Sequence, residues 1–259
     1  MPVRLAKAST TAASLPAHAL AKSRSSNSRG VDTTITHKVY LDIGLCESGF
    51  KANRTLGDKS ALCDEAESVG RVVIGLYGNQ VPGTVGNFVE AVRARAYTGT
   101  TFSKILPGEF ILAGKQGSHR MGSVEAPPNL ARNTDVVSAS AFRLQHLRGG
   151  TVSLPVAENT DDDIFQQRQN YRNLQFLITT GPAPDPALDG RNIVFGKVLE
   201  GLDTVSRVAA VPTFKPSGKL IAFNQLASLI GDDRAARSRS SWGKPLKAVV
   251  ITNSGLLPV

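Results

Sequence analysis

The sequence predicts a mainly β protein folded as a closed barrel. Three observations support this. Short apolar segments of strand length recur along most of the chain and are separated by turn signals. Only two stretches of the core region carry the three- and four-residue apolar spacing of a helix. No internal repeat is apparent, so the many strands must lose their edges in another way, and closure does that.

Lys38–Leu45, KVYLDIGL, alternates apolar and polar residues like a half-buried strand, and Arg71–Tyr77, RVVIGLY, does so again. The polar, glycine-containing segment 46–70 between them is far longer than a hairpin turn and reads as an inserted loop. Pro82–Ala96 is the first predicted helix. Pro82 suits a first turn, and Val85, Phe88, Val89 and Val92 make one apolar face. Thr101–Leu112 holds two strand-like runs around a Pro107-Gly108 turn. Further strands are expected at Gly150–Val156, Leu174–Thr179, Ile193–Val198 and Ala248–Thr252, with a turn at Leu188-Asp189-Gly190. Glu200–Ala210 is the second helix, with Leu202, Val205, Val208 and Ala209 apolar. In Leu220–Ile230, Leu220, Phe223, Leu226, Leu229 and Ile230 recur near helical spacing, which predicts a further helix packed across the barrel.

The chain has 259 residues, is 41% hydrophobic and 20% charged, and so suits an ordinary globular protein with a sizeable core. No apolar run reaches the roughly 18 residues of a transmembrane helix. The net charge of +9 is local. Residues 1–31 carry five basic side chains and no acid, and residues 214–247 carry seven basic and two acidic. The body between is close to neutral. Aromatics are 6% of the chain, and no basic helix is interleaved with them, which argues against nucleic-acid binding. Residues 1–35 are rich in Ala, Ser, Thr, Arg and Lys and include Ala19-Leu20-Ala21, a pattern that signal peptidases cut. That is the composition of an organelle transit segment, and a disordered tail shares it. On either reading the packed domain is 36–259, with insertions at 46–70 and 213–247.

Five blocks carry a family resemblance: KVYLDIG (38–44), GRVVIGLYGNQVPGTVGNFVEAV (70–92), YTGTTFSKILPGEFILAG (97–114), NLQFLITTG (173–181) and LDGRNIVFGKVLEGLDTV (188–205). GGTVSLP (149–155) and VVITNSGLL (249–257) add weaker support. In this order they resemble the cyclophilins, the prolyl isomerases. The resemblance implies one domain, an eight-stranded antiparallel barrel capped by two helices. RTLGDKSALC (54–63) and LIGDDRA (229–235) are similar to segments of plant chloroplast cyclophilin-like proteins of the thylakoid lumen, which agrees with the address-like N-terminus.

An X-Pro bond isomerises unaided in tens to hundreds of seconds. A catalyst needs an apolar pocket for the proline ring, a groove for the flanking backbone, and a donor that stabilises the twisted amide. Proline-containing polypeptides are the implied partners, and the chemistry needs no metal or cofactor. The family's donor is an arginine, and the resemblance places Lys104 there, which keeps the charge without the planar fork. The family's groove glutamine falls on Leu112, and its pocket Phe and Met fall on Glu109 and Phe110. A one-residue slip would instead put Phe110 at the Phe position. Gln175 matches a groove glutamine and Leu177 replaces a pocket Phe. Leu154 replaces a pocket Met, Leu188 matches, and Asn192 replaces a His. Ala187 stands at the tryptophan linked to cyclosporin binding, so weak cyclosporin affinity is expected. Phe102, Phe176 and Phe195 are expected in the core.

Two functions follow: an isomerase of reduced efficiency, and a non-catalytic cyclophilin-like binding or assembly factor. Cys46 and Cys63 bracket the first insertion, either as a disulfide or as two thiols, and their spacing is not that of a redox C-x-x-C pair. Asp161-Asp162-Asp163 reads as a solvated loop rather than a cation site, and His119 and His146 read as surface or core residues. Ser103 and Ser153 show no nucleophile–His–acid arrangement in the sequence.

Overall fold

The computed structural model describes residues 30–259 except 56, 59, 157–171, 230–238 and 240. Most of the stretch read from the sequence as a targeting segment, residues 1–29 of 1–35, lies outside the described residues, and the Asp161–Asp163 run lies wholly outside them. From Asp32 the chain engages the domain, where the Asp32 N–H donates to Gln80 Oε1 at 3.0 Å.

Eight strands form one closed barrel: β1 His37–Leu45, β2 Glu67–Leu76, β3 Thr100–Leu106, β4 Phe110–Ala113, β5 Thr151–Pro155, β6 Phe176–Thr179, β7 Asn192–Glu200 and β8 Val249–Leu257. Around the barrel the order is β1-β2-β7-β5-β6-β4-β3-β8, every pairing is antiparallel, and β1 closes onto β8. The strands alternate as the sequence predicts. Val39, Leu41 and Ile43 of β1 and Val72, Ile74 and Leu76 of β2 point inward and are buried. β2 starts four residues earlier than the alternation suggests, because Glu67 and Ser68 pair with Leu45 and Gly44 beyond a register shift.

Helix α1, Pro82–Arg93, covers one end of the barrel. Pro82 occupies its first turn, and Val85, Phe88, Val89 and Val92 are buried. The Phe88 ring meets Tyr97, Phe176 and Phe195 at centroid distances of 5.3, 5.3 and 5.1 Å, an aromatic cluster at the heart of the core. Helix α2, Leu202–Ala209, buries Thr204, Val205, Val208 and Ala209. Leu202 was expected on that face and is instead 49% exposed, because it starts the helix just after the turn. Gly201 makes that turn at φ +85°, where a Cβ would lie 2.0 Å from the Arg71 carbonyl oxygen, so the chain can reverse there only with glycine.

Both insertions are anchored. In the first, Cys46 and Cys63 form a disulfide with Cα atoms 5.8 Å apart, and Cys46 and Leu62 pack with Ala248 and Val250 in a small second core. In the second, helix α3, Gly218–Leu229, exists as expected but turns Phe223 and Leu226 of its apolar face outward; the Leu229 side chain and Ile230 lie outside the described residues. Asn224 and Ala227 are buried, while Phe223 and Leu226 are 70% and 64% exposed. The buried contact is polar, since Arg239 donates to Asn224 Oδ1 at 3.0 Å.

Candidate active site

The outer face of the barrel is set by one irregularity in β3. Phe102 and Ile105 both turn into the core although they are three residues apart. Strict alternation would send Lys104 inward with Phe102. A β-bulge interrupts the register instead: Phe102 pairs with Ala113, and Lys104 pairs with Leu112. The extra residue is Ser103, whose hydroxyl donates to the Leu112 carbonyl at 3.4 Å. A bulge re-aims the side chain beyond it, and here it brings Lys104 onto the outer face.

The pairing continues across the sheet. Leu112 lies opposite Leu177, Leu177 opposite Ser153, and Ser153 opposite Val194. Opposed residues share a face, so Lys104, Leu112, Leu177, Ser153 and Val194 form one transverse stripe. The neighbouring stripe is Leu106, Phe110 and Thr179.

Lys104 is half-buried. The returning end of the second insertion covers the strand edge beside it, with the Ile105 N–H donating to the Gly243 carbonyl at 2.8 Å. Gly243 sits at φ +73°, and a side chain there would begin 3.3 Å from Lys104 Cγ. Among the described residues no carboxylate pairs with Lys104.

Next to the stripes lies an open pocket of about 450 Å³. Phe110 and Thr179 form one wall, and Pro184, Ala187 and Leu188 form the other. Glu109 and Asp185 add two carboxylates to it. The pocket thus unites Phe110 and Leu188, and the small Ala187 side chain leaves it open. Leu112 and Leu177 are brought to Lys104 by register but are 9% and 2% exposed, so they form a packed floor. Asn192, 1% exposed, opposes Pro155 at the end of β5, and its N–H donates to the Leu188 carbonyl at 3.1 Å.

Two predicted residues stand elsewhere. Leu154 is one residue from Ser153 and therefore faces the other way, into the core. With Gln175 it lines a cavity of about 10 Å³ under α1, together with Phe88, Tyr97 and Phe195. Leu154 is thus a core residue rather than a groove wall. Burial pushes the Tyr97 phenol far up, and its hydroxyl donates to the Leu174 carbonyl at 2.9 Å beside this cavity.

The sequence reading missed one polar cluster. His146 Nδ1 lies 2.8 Å from Asp189 Oδ1, and His146 Nε2 lies 2.8 Å from Ser153 Oγ. Ser153 does have an imidazole and an acid beside it, contrary to expectation. The three residues come from a loop, a strand and a turn, so no local spacing announces them. His119, by contrast, packs on Gly99 and bonds the Thr98 carbonyl at 2.8 Å. Among the described residues, no group of His, Cys, Asp and Glu is placed to hold a metal ion.

A family model for cyclophilin type peptidyl-prolyl cis-trans isomerases matches residues 63–223. That span holds Lys104, both pocket walls and all five strands of the stripe. The chain belongs to the cyclophilin family. It is 47% identical over 234 residues to "Peptidyl-prolyl cis-trans isomerase CYP28, chloroplastic" of Arabidopsis thaliana, which covers 88% of this chain and 83% of that relative. It is 32% identical over 186 residues to "Peptidyl-prolyl cis-trans isomerase D" of Saccharomyces cerevisiae, covering 70% of this chain and 67% of that one. Identity to "Peptidyl-prolyl cis-trans isomerase CYP26-2, chloroplastic" of Arabidopsis thaliana is 26% over 248 residues, or 82% and 72% of the two chains. The matched family span ends inside α3. This cyclophilin therefore closes its barrel with a strand, β8, that lies beyond its second insertion.

Proposed function

We propose that this cyclophilin isomerises X-Pro bonds in flexible polypeptides at reduced efficiency, with Lys104 as the electrostatic residue. The observation that carries this reading is the bulge at Ser103. It puts a cation with no carboxylate partner among the described residues on the outer face, one strand across and two residues along from Phe110 and its pocket. A proline ring in the pocket between Phe110 and Leu188 would bring its amide toward Lys104. The ammonium then favours the twisted amide, whose nitrogen has regained its lone pair.

Efficiency is reduced for two reasons. Lys104 offers a point charge where a guanidinium would offer several directed bonds. Leu112 and Leu177 supply an aliphatic floor without a donor or a stacking ring. Removing one directed donor costs about 2.7–4 kcal/mol in other enzymes, and lysine recovers part of that. Asn192 closes the Leu188 end of the groove through its N–H bond to the Leu188 carbonyl, and weak cyclosporin binding follows from Ala187. We place the protein in the chloroplast, in the thylakoid lumen. This rests on the transit-like composition of residues 1–35 and on the chloroplastic names of two relatives.

The test is isomerisation of a proline peptide by the parent, Lys104→Arg and Lys104→Ala. We expect Lys104→Ala to lower kcat/KM by roughly tenfold and Lys104→Arg to raise it by a similar factor, about 1.4 kcal/mol each way. A parent and a Lys104→Ala variant that both match buffer would sink the catalytic reading. Peptide binding without turnover would then favour the non-catalytic assembly factor.

A further inference from the structure

The acid–imidazole–hydroxyl order of Asp189, His146 and Ser153 is that of a nucleophile relay. Ser153 has no exposed surface and His146 is 1% exposed, so no substrate carbonyl reaches the hydroxyl. The cluster needs another role, and its backbone bonds indicate one. The His146 N–H also donates to Asp189 Oδ1 at 2.8 Å, and its carbonyl accepts the Asp185 N–H at 2.9 Å. His146 therefore grips the segment 185–189 at both ends, and Ala187 and Leu188, a wall of the open pocket, lie between those grips. The segment closes on itself through Leu188 N–H to the Asp185 carbonyl at 3.2 Å. On the opposite side His146 meets Ser153, which stands in the stripe with Leu177 and Lys104.

We propose that His146 is a positioning residue for the groove: bonded at once to Asp185, Asp189 and Ser153, it fixes the Ala187–Leu188 wall relative to the stripe that carries Lys104. The inference rests on the reading of that pocket as the proline site. The bonding also makes the brace sensitive to pH. In the neutral imidazole, Nδ1–H donates to Asp189 and Nε2 accepts the Ser153 hydroxyl hydrogen. The charged groups facing the ring are Asp189 and Asp185, while β5 presents the Ser153 hydroxyl. Burial lowers the imidazole pKa, more than the two carboxylates raise it. Protonation puts a hydrogen on Nε2. Ser153 must then accept, and its own hydrogen loses its buried partner.

Two substitutions separate the two ends of the brace. Asn at 146 keeps a donor near the Nδ1 position and loses the reach to Ser153. Gln reaches toward Ser153 and loses the short bond to Asp189. The readouts are the Leu188 methyl and Ala187 amide NMR signals without peptide, and peptide kcat and KM between about pH 5 and pH 8. We expect H146Q to shift the Leu188 and Ala187 signals and to raise KM about fivefold, the cost of one buried hydrogen bond, with kcat less affected. H146N should keep the Leu188 and Ala187 signals near the parent's, since the bond to Asp189 survives, but hold KM raised at every pH and lose the parent's rise in KM on acidification. Unchanged Leu188 and Ala187 signals in folded H146Q would overturn the brace. Should H146Q not fold, the parent decides: a ring that titrates by its own Cε1–H signal while Leu188 stays still is equally fatal. A parent that binds no peptide, while Leu188 still follows the ring, would end the proposed function and leave the brace standing.

Discussion

The inner and outer faces of the same strands have been filled by different rules. Inside, Phe102, Phe176 and Phe195 join Phe88 and Tyr97 in one aromatic core, with Phe176 edge-on to Phe88 and Tyr97 at 5.3 and 5.4 Å. Outside, on neighbouring positions of the same barrel strands, the stripe is Lys104, Leu112, Leu177, Ser153 and Val194. The inner face satisfies a volume requirement, and any loss there leaves a void. The outer face satisfies a chemical requirement, and a leucine can keep it packed while removing its donors. The barrel can therefore hold its shape while catalytic power drifts. Leu112 and Leu177 make a closed floor, and the open space lies at the end where Ala187 is small.

The comparison is broken most severely by Phe176→Ala. The side chain is fully buried and touches three other rings, so the cost is about 3–5 kcal/mol in denaturant unfolding. Leu177→Ala, next in sequence but on the outer face, should cost about 2 kcal/mol, the low end for such truncations, because the groove above it can fill with solvent. It should also weaken peptide binding. A Leu177 variant as unstable as the Phe176 variant, with peptide affinity unchanged, would show that the two faces do not differ in role.

The disulfide is the next largest effect, and it concerns neither face. Cys46 and Cys63 close a 17-residue separation, for which the loop-entropy account gives about 3 kcal/mol. The Cys46→Ser, Cys63→Ser double variant should lose roughly that much stability and keep its kcat/KM, because the loop they close lies on β1 and β2, away from the stripe. A free-thiol assay of the oxidised protein checks the premise, and two titratable thiols would remove it.

The two faces also differ in how legible they were. The inner face could be read residue by residue, because strand alternation and helix spacing dictate burial directly. Phe88, Val89 and Val92, or Val205 and Val208, could point nowhere else. The outer face depended on register, which the sequence does not display. Lys104 is singled out by resemblance alone, and the bulge at Ser103 that turns it onto the outer face has no glycine or proline to announce it. Leu154 was misplaced by a single residue of register, enough to move a side chain through the sheet. The Asp189–His146–Ser153 cluster spans 43 positions and needed the closed barrel to assemble it. Helix α3 failed in the opposite way. Its apolar spacing was real, but Asn224 makes the buried contact, and Phe223 and Leu226 are left outside.

The smallest expected effect is a pH dependence of stability, and its sign follows from His146. The folded protein holds this imidazole below its ordinary pKa, chiefly by burial, with Asp189 and Asp185 opposing. The unfolded chain therefore binds the proton more readily than the folded one. Linkage makes the contribution fully present above the unfolded pKa, near 6.5, and removes it as pH falls through the lower folded value. Thermal midpoints should thus decline on acidification below about pH 6.5, and part of that decline should vanish in H146N, which has nothing to titrate at that position. Carboxylates with lowered pKa values, such as Asp203 beside Arg207, act in the same direction but at lower pH. The difference between parent and H146N isolates the histidine. If the two midpoints fall in parallel across that window, the folded and unfolded chains take up the histidine proton at the same pH, and burial does not hold this imidazole below its ordinary pKa. A parent that instead gains on H146N as pH falls has a charged ring in the folded protein, with the Ser153 hydrogen bond running from Nε2–H to the hydroxyl oxygen.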